Sequence, residues 1–349
     1  MNDPWQNDPS KSVGLASIEK ALGRGVPAEA MAFYGRWWQL ETWLRWLVHL
    51  ELRARYGETW EEHVVDAAGK RAIRDQENAY IASPDADFLL AYLDTGNLFS
   101  LIAEPEVWKL LGPSLPPRKR WDGLADELSS LRNRNAHYRR PHPDDLQQLE
   151  RVLRSLEKGA KGSIRAFNEQ SRLWKDEDPV ASRWGNPQGP ERDRLAHARN
   201  SYNTELQLRE SRRPWAPQSA GPGHLWHAQF VMREGRYLSP RVLWNSSYLD
   251  PYRKIVVQVT MEYPGFLSIA FSMADDPELV GEAVDRILEA VLVETERTAS
   301  REQYDNWVLE GVGLDPRVRT YDPFFIPDSV ENEAPYFNAG TDDVSARGT

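Results

Sequence analysis

The sequence predicts a multi-domain chain: an N-terminal all-α helical bundle followed by a small C-terminal α+β domain, an antiparallel sheet with helices. Three observations lead there. Apolar residues recur at threes and fours through the first half of the chain, the period of an amphipathic helix. Residues 159–221 then become rich in Arg, Asp, Ser, Gly and Pro and poor in large aliphatics. From residue 222 short apolar runs alternate with Glu-Gly and Pro-Gly turns, which is the pattern of strands and hairpins.

Residues 1–25 read as a flexible arm with a short helix near 16–22. Pro27 suits the first position of a helix that runs from Ala28 to about Tyr56, with Phe33, Trp37, Leu40, Leu44, Leu47 and Leu50 on its apolar side. Trp37, Trp38, Trp43 and Trp46 crowd into this segment and predict a bulky aromatic core. Gly57 ends the helix. A second helix is expected over 59–82, and shorter ones over 86–112. The prolines of "GPSLPPRK" break the chain before a helix over 119–140 that aligns Leu124, Leu128 and Leu131. Pro141 and Pro143 stop it, and Asp144 and Asp145 open the next helix, where their charge suits its dipole. The helical domain thus spans 26–158, and 159–221 is expected to be a polar linker with a helix near 190–211. The α+β domain spans 222–325. Within it "HAQFVMREGRYLSPRVLW" predicts one hairpin, and "KIVVQVTMEY" with "GFLSIAFSMA" another around Pro264-Gly265. An amphipathic helix follows from Pro277 to about Thr298, and a flexible acidic tail from 326 to 349.

Composition narrows the chemistry. No cysteine is present, which excludes a cysteine nucleophile, thiolate metal sites and disulfides. The N-terminus has neither an apolar run nor a basic leader, so no signal peptide is expected, and no stretch nears the roughly 20 apolar residues of a membrane span. A cytoplasmic protein without membrane contact is the expectation. The net charge is −10, which disfavours general binding of nucleic acid. Between Arg118 and Arg140, however, seven basic residues face three acidic ones.

That basic stretch holds Arg132-Asn133-Arg134-Asn135-Ala136-His137, and a hexapeptide of the same spacing, Arg192-Asp193-Arg194-Leu195-Ala196-His197, recurs downstream. A histidine passes protons near neutral pH, and an arginine presents a permanently charged fork that fits phosphate oxygens. Together they suit cleavage of a phosphodiester whose nucleophile is already in the substrate, as in the 2′-hydroxyl of RNA. Such chemistry needs no metal, and no metal site or cofactor is expected. Residues five apart on a helix diverge by about 140°. Arg132 and His137 therefore supply half a site, and a two-fold dimer would bring two such halves together. Asn133, four residues before His137, shares its face. The downstream copy lacks a preceding bundle and reads as a chance match in an Arg-rich segment rather than a second active site, with contact to RNA or to the first domain left open. His224 and His227, three apart at a strand start, fall on opposite faces and have no acidic neighbour in sequence, so no metal pair is expected.

"LRNRNAHYR" resembles the signature of the HEPN domains (higher eukaryotes and prokaryotes nucleotide-binding), Arg-polar-x3-to-5-His in a late helix. "LETWLRWLVHLELRARYGETW", "AYLDTGNLFSLI" and "ELSSLRNRNAHYR" are similar in order to the HEPN-like group of bacterial abortive-infection and stress proteins. The resemblance covers 26–158. It implies a metal-independent endoribonuclease, a toxin or anti-phage effector, with a composite site across a homodimer. Arg132 and His137 would be catalytic, with Asn133 as the polar second position. Arg134, Tyr138, Arg139 and Arg140 are expected to contact RNA, the arginines on charge alone. Some family toxins carry a modified Tyr two residues after the His; here Arg139 occupies that position and Tyr138 precedes it. A trigger or regulatory protein would act on 222–325. The alternative is a non-catalytic dimerisation or RNA-binding scaffold with a C-terminal partner-binding domain.

Overall fold

The computed structural model describes residues 9–78, 88–136, 142–171, 178–261, 263–297 and 314–319. The described chain is mostly helical, with a mixed five-stranded sheet in its C-terminal half. It divides into two compact units, one of residues 1–48, 93–164 and 322–349, the other of 49–92 and 165–321.

The first unit is helical. It holds α1 (Pro9–Gly23), residues 28–48 of α2 (Ala28–Tyr56), α4 (Thr95–Ala103), α5 (Pro105–Leu111), α6 (Arg118–Ala136) and most of α7 (Asp145–Asn168); the intervening α3 (Val65–Glu77) belongs to the other unit. The 3.6-residue period dictates what is buried: Phe33, Trp37, Leu40, Leu44 and Leu47 on α2, Leu128 and Leu131 on α6, and Leu149, Val152, Leu153 and Leu156 on α7. Of the four clustered tryptophans, Trp37, Trp43 and Trp46 are buried and Trp38 is exposed. Trp121 meets Phe99 edge-on at 5.8 Å, tying α6 to α4. Arg36 on α2 grips Glu150 on α7 through two nitrogens, at 2.6 and 3.0 Å. Where α7 passes the turn at Gly112–Ser114, Gly159 lies so close that a Cβ there would fall 2.1 Å from the Ser114 carbonyl oxygen.

The second unit is built on the sheet. Strands β1 (Thr204–Arg212), β2 (His224–Met232), β4 (Val256–Thr260), β5 (Phe266–Ser272) and β7 (Val318–Arg319) run in the order β1-β2-β5-β4-β7. All neighbours are antiparallel except β4 and β7. The short β3 (Arg236–Tyr237) pairs with β6 (Glu296–Arg297). Helix α10 (Pro277–Glu294), capped by the Asp276 carboxylate, buries Val280, Val284, Ile287 and Val291. Trp184 donates its indole N–H to the Gly281 carbonyl at 3.0 Å.

Several boundaries differ from the sequence expectation, each for a physical reason. Residues 49–92 group with the sheet, not with the helical bundle, because the last turns of α2 carry buried polar groups whose partners lie there. His49 bonds the Val257 carbonyl, Arg53 pairs with Asp275 at 3.0 Å, and Glu51 pairs with Arg213 at 2.5 Å. The expected linker contains a full strand, β1, after helix α8 (Gly189–Tyr202). The expected arm contains α1. The expected 59–82 helix is a 3₁₀ segment, Gly57–His63, followed by α3. The hairpin expected around Glu234-Gly235 is also absent: β2 pairs with β1 and β5, and "PRVLW" forms the short helix α9 (Pro240–Trp244) behind a Ser239 cap. The hairpin around Pro264-Gly265 is present as β4 and β5, and the helix expected from Pro277 is α10. No described helix is long and apolar enough to cross a membrane.

Candidate functional site

The candidate site lies where α6 ends and α7 begins, within the helical unit. Helix α6 starts directly after Pro117, whose carbonyl accepts from the Arg120 and Trp121 amides. Burial of Trp121, Leu128 and Leu131 fixes its rotation. That rotation exposes Asn133 and half-buries Arg132. Neither has a hydrogen-bond or ion-pair partner among the described residues.

The next two residues behave differently. Arg134 donates from Nη1 to Asp145 Oδ1 at 2.7 Å, and Asn135 donates from Nδ2 to Asp145 Oδ2 at 3.3 Å and to the Leu131 carbonyl at 3.0 Å. The His142 amide donates to the same Oδ2 at 3.1 Å. Asp145 is only 2% exposed, so its charge is held in a largely dry place by three donors. One carboxylate therefore fastens Asn135 and His142, the two ends of the α6–α7 connection. Sequence reasoning gave Asp145 only a helix-dipole role and missed this clamp. The signal was an acid at a helix start just beyond an Arg-Asn pair. Arg134, expected to contact phosphate, donates to Asp145 and keeps 38% of its side chain exposed. His137, Tyr138, Arg139 and Arg140 lie outside the described residues.

The downstream copy of the hexapeptide is on α8, in the other unit. Arg192 and His197 are exposed there. Arg194 is ion-paired with Asp285 on α10. His197 Nδ1 lies 3.2 Å from Ser201 Oγ, and its ring meets Tyr202 edge-on at 5.4 Å. Nothing on α8 reproduces the carboxylate clamp.

His224 and His227 each have a partner that sequence spacing did not reveal. His224 faces Glu210 on the adjacent strand β1: Nδ1 donates to Oε1 at 2.5 Å, and Nε2 donates to the Pro217 carbonyl at 2.9 Å. The hydrogen bond to Glu210 raises the His224 pKa above the ordinary imidazole value, despite the cost of burial. The expectation that no acidic residue stands nearby is thus corrected, because β1 lies where a linker was expected. His227 has Ser211 Oγ 2.7 Å from Nε2 and Gln170 Nε2 3.1 Å from Nδ1. The arrangement has the outline of a nucleophile–base pair but the wrong proton placement. Gln229 donates to Gln170 Oε1 at 2.6 Å, which turns the Gln170 N–H toward His227 Nδ1. The imidazole proton is then on Nε2 and is donated to Ser211, so His227 has no lone pair to take the serine proton. His227 and Ser211 are also buried, and burial together with Arg213 pushes the imidazole down to about 3.

No protein-family model, curated protein or solved structure matches this chain.

Proposed function

We propose that the chain is a HEPN-type, metal-independent endoribonuclease that works as a homodimer and serves as a toxin or anti-phage effector. One observation carries the reading. At the end of α6 the polar residues divide into two sets: Arg134 and Asn135 are clamped by buried Asp145, while Arg132 and Asn133 have no described partner. A half-buried guanidinium with no partner among the described residues, on the helix end that Asp145 holds, is suited to an incoming phosphate. In this mechanism the RNA 2′-oxygen attacks the adjacent phosphorus and the bond to the 5′-oxygen breaks. A His137 imidazole takes the 2′-hydroxyl proton, and the imidazolium of the second protomer's motif gives one to the leaving oxygen. Arg132 holds the charge that builds on the non-bridging oxygens. The products are a 2′,3′-cyclic phosphate and a 5′-hydroxyl.

The test is purified wild type beside Arg132→Ala and His137→Ala, incubated with total RNA in EDTA, with mapping of both kinds of end. Wild type should leave cyclic-phosphate and 5′-hydroxyl ends, and each variant should lose about 10²-fold or more in rate while remaining folded and dimeric. Cleavage by both variants at the wild-type rate rejects the assignment. RNA binding without cleavage by wild type points to the scaffold alternative.

A further inference from the structure

A cavity of about 470 Å³ lies within the sheet-bearing unit, a size that suits a small organic ligand. Its walls include His49, Trp60, Phe88, Arg253, Lys254 and Arg317. None of them belongs to the 132–140 segment, so a ligand in this cavity is independent of the ribonuclease reading.

His49 is the key group. It is 3% exposed, and its ring meets Trp60 at 4.9 Å and Phe88 at 5.3 Å, both edge-on. Nε2 lies 3.1 Å from the Val257 carbonyl oxygen. A carbonyl only accepts, so Nε2 carries the hydrogen and Nδ1 is a bare lone pair. That Nδ1 is buried and has no hydrogen-bond partner among the described residues. Burial, reinforced by Arg53 and Arg317, holds the imidazole pKa well below its ordinary value, so the lone pair persists at neutral pH. A buried acceptor left empty carries a free-energy cost. A ligand N–H or O–H would remove that cost.

The cavity also carries an unused donor. Arg253 gives Nη2 to Asp250 at 2.8 Å, yet its buried Nε has no partner among the described residues. Arg317 donates to the Arg253 backbone carbonyl at 2.9 Å, and the guanidinium groups of both residues lie over the Trp244 ring. Lys254 stands at 66% exposure with Glu58 at 2.9 Å. Among the lining residues three cations meet two acids, Glu61 and Asp250, while Asp315 and Glu58 pair with Arg317 and Lys254 from just outside. The unmet needs are thus a donor for His49 and an acceptor for Arg253, with aromatic rings lining the space. We propose that the cavity binds a nucleotide-sized ligand: a planar heterocycle whose N–H meets His49 Nδ1 and whose anionic group meets Arg253 and Lys254.

Titration calorimetry on the full chain tests this with AMP, GMP, CMP and UMP, their nucleosides, and ribose 5-phosphate. At least one monophosphate should bind saturably at one site per chain. Its nucleoside should bind about ten-fold more weakly, a difference of about 1.4 kcal/mol, and ribose 5-phosphate more weakly still. His49→Phe keeps the ring and removes the acceptor, and should abolish binding. Arg253→Gln and Lys254→Ala should each weaken it several-fold, and they carry the test if His49→Phe fails to fold. The proposal is overturned if no probe saturates, if ribose 5-phosphate binds as tightly as the nucleotide, or if Arg253→Gln and Lys254→Ala both bind like wild type.

Discussion

Asp145 fixes the end of α6 with three hydrogen bonds from a nearly dry position. Replacing it with alanine leaves Asn135 and the His142 amide without their acceptor. We expect Asp145→Ala to cost about 1–3 kcal/mol, read as a lower urea midpoint. Arg134→Ala should cost less, because Arg134 is 38% exposed and water can take its place beside Asp145, which keeps its other two donors. Equal losses in the two variants would deny Asp145 its role as a clamp. Buried histidines set opposite pH limits on the fold: His227 and His49 are lowered and His224 is raised. His227 stays neutral in the fold until about pH 3, while in the unfolded chain it titrates near 6.5. Between those values the unfolded state binds more protons, so stability falls as pH falls, by on the order of 1 kcal/mol per pH unit. His224 is raised instead, so its contribution is complete below about 6.5 and is lost as pH climbs through its folded value. Urea unfolding across the pH range should show both limbs. His227→Gln should make the acid limb shallower, with buried His49 still contributing to it, and leave the alkaline one in place. An acid limb unchanged in that variant rejects the assignment.

At the scale of elements, packing between α7 and the Gly112–Ser114 turn depends on a missing side chain. Gly159→Ala would place a methyl inside the Ser114 carbonyl. We expect overpacking of about 1–3 kcal/mol, against a gain in helix propensity of under about 1 kcal/mol. A variant as stable as wild type would show that the turn yields. The elements also show where sequence patterns carry information. The β4–β5 hairpin and α10 were legible because their apolar runs are continuous and bounded by Pro-Gly or by a proline at the helix start. Strand β1 was not, because its buried positions include Thr204, Glu210 and Ser211, which are satisfied by hydrogen bonds rather than by apolar burial. Short α9 resembled a strand because five residues are too few to show a helical period. At the site the spacing of Arg132, Asn133 and His137 was legible, but the clamp was not, since it joins residues ten and eleven apart across a turn.

For the molecule as a whole, the sheet-bearing unit is discontinuous in sequence. Its core contains the pairs Glu51–Arg213 and Arg53–Asp275, with all four residues buried. A fragment of residues 165–321 would keep every strand of the sheet and lose Glu51 and Arg53. Removing one partner of a buried pair costs about 3–5 kcal/mol. We expect that fragment to lack a cooperative thermal transition, and a longer fragment starting at residue 49 to regain one. Cooperative melting by the short fragment would show that the buried pairs are dispensable. The same pairs bear on how the protein is made. Glu51 and Arg53 leave the ribosome 162 and 222 residues ahead of the groups that neutralise them. During that interval the end of α2 cannot be buried without stranding a charge. A chain terminated early therefore presents two charged side chains where its core should close, which favours capture by chaperones or proteases over release as a stable partial product.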